Sequence, residues 1–352
     1  MDSSEIALIP GDGIGPEVID ATIGFVDEVA DQHGFAVETT RFDWGTEYYR
    51  NHGEMMPEDG LERLADFDAI FLGAVGHPDV PDHVTLHGLL LPIRKGLDQY
   101  VCKRPNVLFE GIESPLRGYD AGDIDFVVYR ENTEGEYADI GGREHRGLDH
   151  ETAVQSALFT RNGTERIVRA AFEAAAESER HLTSITKSNA QAHSMVFWDD
   201  VVEEVSADFP SVTVERLLVD AGAMDLIRRP HEFDVVVASN LFGDILTDIG
   251  AQVTGSMGLA PSGNIHPGGE YPSMFEPVHG SAPDIIGDGV ANPLATALSW
   301  SMLFEDIGEE QAADAIWTTV TDQLAADDAP RTPDIGGDAG TEAVVDDLQS
   351  RL

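Results

Sequence analysis

The chain has 352 residues, of which 65 are acidic and 21 are basic, and its formal net charge is −44. Such a charge repels nucleic acids and anionic membranes and therefore disfavours both as partners. The acidic residues are spread along a chain with ordinary apolar periodicity, which predicts a folded protein adapted to high salt rather than a disordered one.

Cysteine content and the N-terminal residues indicate the compartment. The single cysteine, Cys102, excludes an internal disulfide and a cysteine-rich zinc site. The first residues lack the basic and apolar regions of a signal peptide, and no apolar run approaches the length of a membrane span. We therefore expect a soluble cytoplasmic protein.

The first hundred residues predict strands that alternate with helices. A strand at 5–9 leads through a glycine turn into a helix that Pro16 begins and Gly34 ends. The turn has the spacing G-x-G-x-G rather than G-x-G-x-x-G, which disfavours a Rossmann dinucleotide site. The sequence further predicts strands at 35–40 and 68–72, a loop at 41–57, and helices at 59–64 and 89–95.

The rest of the chain continues this alternation. It predicts strands at 100–103, 125–129, 153–159, 183–186, 212–219 and 235–238, and helices at 161–178, 193–205, 221–229, 241–249, 293–307, 309–326 and 341–352. A stretch rich in glycine and proline, 254–289, precedes the last three helices. The pattern is typical of the α/β class, and the absence of a linker indicates two domains on one continuous sheet.

Two aspartates, Asp244 and Asp248, lie four residues apart in the predicted helix that follows the strand at 235–238. That spacing places both carboxylates on one helical face, where their mutual repulsion favours a bound cation. Carboxylate oxygens suit a hard ion such as Mg²⁺ or Mn²⁺. In so acidic a chain, the same spacing is also typical of a solvated helix face.

Lys187, Asp220 and Asp244 each lie at or just beyond the end of a predicted strand, where ligands bind in open α/β sheets. Lys187 is one of only three lysines in the chain. A partly buried lysine can act as a base when burial lowers its pKa, whereas a surface lysine is the alternative.

Three arginines, Arg94, Arg104 and Arg130, lie in or just after apolar segments. Their forked donors match carboxylates, so together they would suit a di- or tricarboxylate. Internal salt bridges to the many acidic residues are the alternative. Tyr137 follows a glycine turn and offers a phenol, although a core or surface tyrosine is the commoner role for such a residue.

The stretch 275–285 is long, irregular and rich in turn residues, which is typical of ligand-binding loops. Its backbone amides would suit a nucleotide. Asp284 would accept a hydrogen bond from a ribose hydroxyl and repel a 2′-phosphate, which favours NAD over NADP.

Nearly the whole chain carries segments that resemble one family, in that family's order: IPGDGIGPEV, LLLPIRKGLDQYVCKRP, RENTEGEY, TKSN, SNLFGDILTDIG, FEPVHGSAPDI, ANPLAT and RTPD. The family is that of the metal-dependent, β-decarboxylating hydroxyacid dehydrogenases. It contains isocitrate, homoisocitrate, 3-isopropylmalate and tartrate/D-malate dehydrogenases. As a set, these segments are highly specific.

Within the family, four segments look most like the tartrate/D-malate branch: FDWGTEYYRNHGEMMP, GDIDFVVYRENTEGEY, TKSN followed by SMVFWDD, and FDVVVASNLFGDIL. The isopropylmalate branch usually has RELTGG, KANV, and a Glu at the position of His87. The isocitrate branch usually has Ser and Asn in the helix before Arg94, where this chain has leucines at 89–91. Because these leucines would accept an isopropyl group, 3-isopropylmalate dehydrogenase remains the alternative.

The resemblance implies a role for each matching residue, with Lys187 and Asp220 supplied by a partner subunit. It assigns substrate binding to Arg94, Arg104, Arg130 and Leu90, acid catalysis to Tyr137, base catalysis to Lys187, binding of Mg²⁺ or Mn²⁺ to Asp220, Asp244 and Asp248, and binding of NAD to Glu276, His279, Gly280, Ser281, Ala282, Pro283, Asp284 and Asn292.

The resemblance also implies a fold and an assembly. The expected fold is not Rossmann: residues 1–100 and 253–352 form a large domain with the cofactor loop, and residues 101–252 form a small domain with the dimer interface. The expected assembly is a homodimer with shared active sites.

The implied reaction is the metal-dependent, NAD-linked oxidative decarboxylation of a small 2-hydroxy dicarboxylic acid, such as D-malate to pyruvate and CO₂. A regulatory subunit or an organic-acid-binding protein of the same fold is a non-enzymatic alternative. Such paralogues usually lose the lysine, the tyrosine or the metal aspartates, all of which are present here.

Overall fold

One large mixed sheet and one small two-stranded ribbon organise the protein, whose computed structural model describes residues 3–352. Strands and helices alternate along most of the chain, which confirms the α/β class. The strands are β1 (Ser3–Gly11), β2 (Ala36–Arg41), β3 (Ala69–Ala74), β4 (Val101–Val107), β5 (Asp125–Glu131), β6 (Gly135–Glu144), β7 (Thr152–Leu158), β8 (Leu182–Thr186), β9 (Val214–Leu218), β10 (Val235–Ala238), β11 (Pro261–Ile265) and β12 (Ser273–Pro277).

Twelve α-helices connect or cover the strands of the described chain. They are α1 (Gly15–His33), α2 (Thr46–His52), α3 (Gly60–Leu64), α4 (Asp82–Thr85), α5 (Leu91–Gly96), α6 (Arg161–Glu177), α7 (Ser194–Ser206), α8 (Val219–Arg228), α9 (Asn240–Val253), α10 (Leu294–Asp306), α11 (Glu310–Ala325) and α12 (Thr341–Arg351). A π-helical turn, Leu86–Leu90, joins α4 to α5. Within residues 3–352, none of the helices combines the length and apolarity needed to cross a membrane.

The large sheet has the strand order β2-β1-β3-β12-β11-β4-β5-β10-β8-β9. Its first five strands come from residues outside 101–252 and its last five from within that range. The two halves meet where β11 pairs antiparallel with β4, with Gly263 opposite Lys103. The sheet is continuous as predicted, while the assignment of two domains with boundaries at 100 and 253 stays a prediction.

Both faces of the first half of the sheet are buried. Along β1, Ile6 and Leu8 pack into one apolar cluster, whereas Ala7 and Ile9 pack into another on the opposite face. This alternation follows from the two-residue period of a strand. A third cluster fills the second half of the sheet and includes the fully buried Trp198.

Several predicted elements need correction. The predicted loop at 41–57 contains α2, which buries little apolar surface and therefore gives a weak periodic signal. Between the strands predicted at 125–129 and 153–159, where the sequence predicts no element, lies β6, a mostly exposed ribbon strand without apolar alternation. The irregular stretch at 254–289 contains the buried strands β11 and β12.

Candidate active site

A group of charged side chains from the second half of the sheet meets at the N-terminal half of α9. Arg104 comes from β4, Arg130 from β5, and Asp244 from α9, which follows β10. Gly243 permits this approach, because a Cβ atom there would lie 2.7 Å from the Cβ atom of Arg130. Arg104, Arg130 and Asp244, three of the predicted site residues, therefore lie together.

Asp244 is the centre of this group. Its Oδ1 lies 2.5 Å from Nη1 of Arg130 and 3.7 Å from Nη1 of Arg104. Its Oδ2 accepts a hydrogen bond from the hydroxyl of Tyr137 at 2.7 Å. Although desolvation by burial opposes ionisation, the guanidinium groups of Arg130 and Arg104 hold the pKa of Asp244 below its ordinary value.

Asp248 lies one helical turn further along α9 and behaves differently. Burial, together with the charge of Asp244, raises the pKa of Asp248 above its ordinary value. Two carboxylates on one face of a partly buried helix would both ionise readily only beside an additional cation. The donor set therefore fits a hard divalent ion held by Asp244 and Asp248.

Neutral side chains fix the two central arginines. Arg130 donates from Nε and Nη2 to the side-chain oxygen of Asn240, at 3.1 and 2.7 Å. Arg104 donates to the hydroxyl of Thr247 at 2.8 Å and to that of Ser262 at 3.3 Å. Both guanidinium groups are almost fully buried, so these contacts hold them in defined positions.

The structure corrects the expected surroundings of Glu276. This residue was predicted in the cofactor loop, but it is a buried member of β12, where Nη2 of Arg94 lies 2.6 Å from its Oε1. Asn264 donates to the same oxygen at 2.9 Å. Despite the desolvation of a buried carboxyl, Arg94 and then Asn264 lower the pKa of Glu276, so a buried charge pair forms at this position.

Tyr137 lies in β6 with its ring beside the arginines. The Cζ atom of Arg130 is 5.5 Å from the centroid of the phenol ring. Desolvation, followed by the charge of Asp244 and its hydrogen bond, raises the pKa of Tyr137 to about 12. The phenol is thus protonated at neutral pH and can serve as a proton donor.

Lys187 and Asp220 form an ion pair of their own, away from the aspartates of α9. They follow the neighbouring parallel strands β8 and β9. Within residues 3–352, no three His, Cys, Asp or Glu side chains are arranged to hold a metal ion. One chain by itself therefore does not bring Asp220 to Asp244 and Asp248.

The glycine turn between β1 and α1 contacts the predicted cofactor loop. The backbone N–H of Ile14 donates to the carbonyl of Ser281 at 3.0 Å. Gly13 has φ +62°, and a Cβ atom there would lie 2.0 Å from the same carbonyl oxygen. A side chain is therefore excluded where the two loops touch, as in sites where backbone approaches a ligand closely.

The other predicted cofactor residues vary in exposure. Pro283 and Asp284 are exposed, and Gly280 borders open space. Ala282 has a left-handed backbone with φ +41°, which is uncommon for a residue with a side chain. Asn292 donates to Asp334 at 3.0 Å.

His279 carries an unused donor or acceptor at the start of this loop. Its Nε2 atom is buried without a hydrogen-bond partner, and burial lowers the pKa of the imidazole. A buried polar atom without a partner is rare in folded proteins. The atom fits a polar group of a bound nucleotide.

Only one of the three leucines before Arg94 is partly exposed. Leu89 and Leu91 are buried in the core, whereas Leu90 is partly exposed in the π-helical turn. Such turns often occur at functional sites. Of the three leucines that the sequence predicts to accept an isopropyl group, only Leu90 is therefore accessible.

Sequence reasoning did not identify the residues that orient the arginines. Asn240 and Thr247 lie in the same segment as the aspartates, and the hydroxyl of Thr247 donates to the backbone carbonyl of Gly243. Asn264 and Ser262 lie in a stretch that the sequence predicts as irregular. No local pattern distinguishes these residues from ordinary polar positions.

Comparison with known proteins places this arrangement in a family. The family model described as isocitrate/isopropylmalate dehydrogenase matches residues 5–348. A probable tartrate dehydrogenase/decarboxylase of Bacillus subtilis is 50% identical over 100% of this chain and 99% of its own length. A decarboxylating D-malate dehydrogenase of Escherichia coli is 48% identical, with 98% of each chain covered.

Two further comparisons widen the picture. A 3-isopropylmalate dehydrogenase of Thermobifida fusca is 47% identical over 99% of this chain and 97% of its own length. The crystal structure of isocitrate dehydrogenase from Methylococcus capsulatus superposes with a TM-score of 0.89 and 32% identity, covering 99% of both chains. The fold, the order of the matching segments and these similarities lead to one conclusion: the chain belongs to the isocitrate/isopropylmalate dehydrogenase family.

Proposed function

We propose that this protein catalyses the metal-dependent, NAD-linked oxidative decarboxylation of a small 2-hydroxy dicarboxylic acid of the D-malate or tartrate type. The observation that carries the proposal is the contact of Asp244 with both Arg130 and Tyr137. This contact brings together a proposed carboxylate-binding arginine, a proposed metal ligand and a proposed proton donor. The relatives named tartrate dehydrogenase/decarboxylase and D-malate dehydrogenase support this substrate class.

The three arginines would bind the substrate carboxylates. Their partners in this structure are Glu276 for Arg94 and Asp244 for Arg130 and Arg104. A buried guanidinium held by fixed neighbours is pre-organised for a carboxylate, since little side-chain freedom remains to be lost. Leu90 would border the substituent on C3 of the substrate.

Asp244 and Asp248 would hold Mg²⁺ or Mn²⁺, with Asp220 from a second copy of the chain completing the site. The residues from His279 to Asp284, with Asn292, would hold NAD, and Glu276 would support that site through Arg94. When bound, NAD⁺ accepts a hydride, and the metal ion withdraws electron density from the substrate oxygen.

Residues of the chain would move the protons. Lys187, directly or through Asp220 or water, takes the hydroxyl proton as the C2–H bond of the substrate breaks. The bond from C3 to its carboxylate then breaks, CO₂ leaves, and the electron pair remains as an enolate. Tyr137 donates its phenolic proton to C3, and for D-malate the product is pyruvate.

The position of Lys187 and Asp220 supports a homodimer. Within residues 3–352 Asp220 is not grouped with Asp244 and Asp248, which supports the supply of Asp220 and its partner Lys187 by a second copy. Apolar side chains on α8 and α9 are exposed in the single chain, namely Met224 at 62%, Ile227 at 54% and Ile245 at 49%. Burial of this surface against a second copy would stabilise the dimer.

A dehydrogenase assay at high salt tests the proposal. NAD⁺ reduction is measured with D-malate, L-tartrate, meso-tartrate, 3-isopropylmalate and isocitrate, with Mg²⁺ or Mn²⁺ and with EDTA as the metal-free control. We expect the highest kcat/KM with D-malate or a tartrate. The highest value with 3-isopropylmalate would establish the alternative, which Leu90 and the 47% identical relative favour.

The same assay decides the cofactor and the non-enzymatic alternative. Asp284 is exposed at the cofactor loop and would repel a 2′-phosphate, so we expect NAD⁺ to be preferred over NADP⁺. Preference for NADP⁺ would contradict this role of Asp284. Binding of organic acids without any reduction of either nucleotide would instead indicate a binding protein or a regulatory subunit.

A further inference from the structure

Lys95 connects α5 to β6, the strand of the two-stranded ribbon that carries the proposed acid. Its Nζ donates a hydrogen bond to the backbone carbonyl of Tyr137 at 2.5 Å. Lys95 is in α5, which precedes β4, whereas Tyr137 is in β6, beyond β5. Lysine occurs only three times in this chain, at 95, 103 and 187, which makes this contact unusual for its composition.

The helix that carries Lys95 is firmly held. Ile93 is fully buried, and the neighbouring Arg94 forms the buried pair with Glu276 of β12. β6 pairs only with β7 in the described structure, and its residues beyond 138 are exposed. Lys95 therefore links this strand, at Tyr137, to α5.

A second contact joins β6 to the residues just before α5. Nδ1 of His87, in the π-helical turn before α5, lies 3.7 Å from Oδ2 of Asp139 in β6. Both side chains are exposed, so this pair contributes little to stability. The partly buried contact of Lys95 with the backbone of Tyr137 is therefore the stronger link between these elements.

We propose that Lys95 is a positioning residue for Tyr137. Tyr137 is held at its side chain and at its backbone: Asp244 accepts a hydrogen bond from the hydroxyl, and Lys95 donates one to the backbone carbonyl. The compact ammonium group reaches a single carbonyl oxygen as a point donor, which the larger planar guanidinium of an arginine would not reproduce. This inference rests on the proposed function, in which Tyr137 supplies the last proton.

The inference separates two chemical steps. Tyr137 acts only after the C2–H bond has broken, so loss of Lys95 should leave the first turnover of NADH formation unchanged. Steady-state turnover should fall, because delivery of the proton to C3 requires the hydroxyl within hydrogen-bond reach. A displacement of about 1 Å in a reacting group lowers rates roughly 100-fold, which sets the scale of the loss.

The experiment compares Lys95→Met, Lys95→Gln and Lys95→Arg with the matched control Lys103→Met in the purified protein. Lys103 pairs with Glu305, where its side chain has no part in the proposed chemistry. Stopped-flow absorbance measures the first turnover of NADH, and a pyruvate assay measures the steady state. Hydrogen exchange of residues 135–144 measures how firmly β6 is held.

We expect Lys95→Met to lower steady-state kcat by roughly 10- to 100-fold, with little change in KM or in the first turnover. Lys95→Gln, which keeps an N–H donor, should recover part of the loss, and Lys95→Arg should recover less. Exchange of β6 should accelerate in Lys95→Met and not in Lys103→Met.

Three outcomes would overturn the inference. One is wild-type kcat in Lys95→Met, and another is an equal loss in the first turnover and the steady state, which indicates a general structural defect. The third is unchanged exchange of β6 in Lys95→Met. If Lys95→Met fails to fold, Lys95→Gln and Lys95→Arg carry the same comparison. Wild-type protein that reduces no nucleotide would instead contradict the proposed function, and with it the catalytic part of this inference.

Discussion

The hydroxyl of Tyr137 donates a hydrogen bond to Oδ2 of Asp244, with 2.7 Å between the oxygen atoms. The contact joins β6 to α9, and its two residues are 107 positions apart along the chain. It couples the proposed proton donor to the proposed metal ligand. A change at either residue should therefore be measurable at the other.

Replacement of Asp244 by Asn should remove most metal-dependent activity while the protein stays folded. The neutral amide loses a ligand for a hard cation and also leaves Arg130 without its charged partner. We expect a loss of about 100-fold or more in kcat/KM. Calorimetry with Mn²⁺ should show weaker binding, and sedimentation should show the same assembly as for the wild type, which we propose to be a dimer.

The control for that variant is Asp43→Asn, since the Asp43 carboxylate is 90% exposed and outside the site. It should retain wild-type turnover and metal affinity. Unchanged turnover and Mn²⁺ affinity in Asp244→Asn would reject the assignment of Asp244 as a metal ligand.

Replacement of Lys187 by Met should abolish hydride transfer to NAD⁺. The variant removes the proposed base, and general base catalysis typically contributes roughly 100- to 10,000-fold to rates. Stopped-flow measurement of NADH should show the loss already in the first turnover. The partner of Lys187 is Asp220, so Asp220→Asn tests whether the two act together. Near-normal NAD⁺ reduction in Lys187→Met would rule this lysine out as the base.

The pH titration of the metal-free protein should contain one phenol with a pKa of about 12, assigned to Tyr137. Because the folded-state pKa is above its ordinary value of 10, this group stabilises the fold below pH 10 and loses that effect as pH rises toward 12. Ultraviolet difference titration of wild type against Tyr137→Phe measures the pKa. In Asp244→Asn it should fall, since Asp244 raises it by charge and by hydrogen bonding. An unchanged value would argue against this coupling.

Removal of Arg94 should destabilise the protein strongly. Arg94→Met leaves the carboxylate of Glu276 buried without its partner, which typically costs about 3–5 kcal/mol. The double variant Arg94→Met with Glu276→Gln should lose less stability, because no uncompensated charge remains. Urea unfolding at constant salt measures both. Equal losses in the two variants would show that the pair is not coupled.

The same pair predicts an acid dependence. The folded-state pKa of Glu276 lies below its ordinary value of 4.5, so its contribution to stability is present above that pH. The contribution disappears as pH falls through the lowered pKa. Unfolding of Glu276→Gln should accordingly show a weaker decrease in stability below pH 4.5 than unfolding of the wild type.

Salt should stabilise the fold, as proposed for a salt-adapted protein. A net charge of −44 produces self-repulsion that ions screen, with a screening length of about 10 Å at 0.1 M and about 3 Å at 1 M. We expect Tm to rise between these two concentrations of KCl. A Tm that stays constant or falls would contradict salt adaptation.

Local sequence signals determined the alternation of strands and helices, because apolar periodicity reports which face of each element is buried. They also identified Asp244 and Asp248, whose four-residue spacing fixes their common face wherever the helix lies. The motifs supplied the family, and the matching family model confirms it.

Elements without an apolar period could not be predicted in this way. β6 is mostly exposed, and its sequence therefore gives no alternation. β11 and β12 are short and buried, and they lie among glycines and prolines that usually mark turns. Their place in the sheet depends on pairing with distant strands.

Tertiary structure alone decided which charges meet. Arg94 pairs with Glu276, which is 182 residues away in the sequence, and Arg130 pairs with Asp244, which is 114 residues away. A sequence rich in acidic residues offers many partners for each arginine, and only the order of strands in the sheet selects one. The same geometry placed Lys95 on the carbonyl of Tyr137, a backbone contact that no residue pattern encodes.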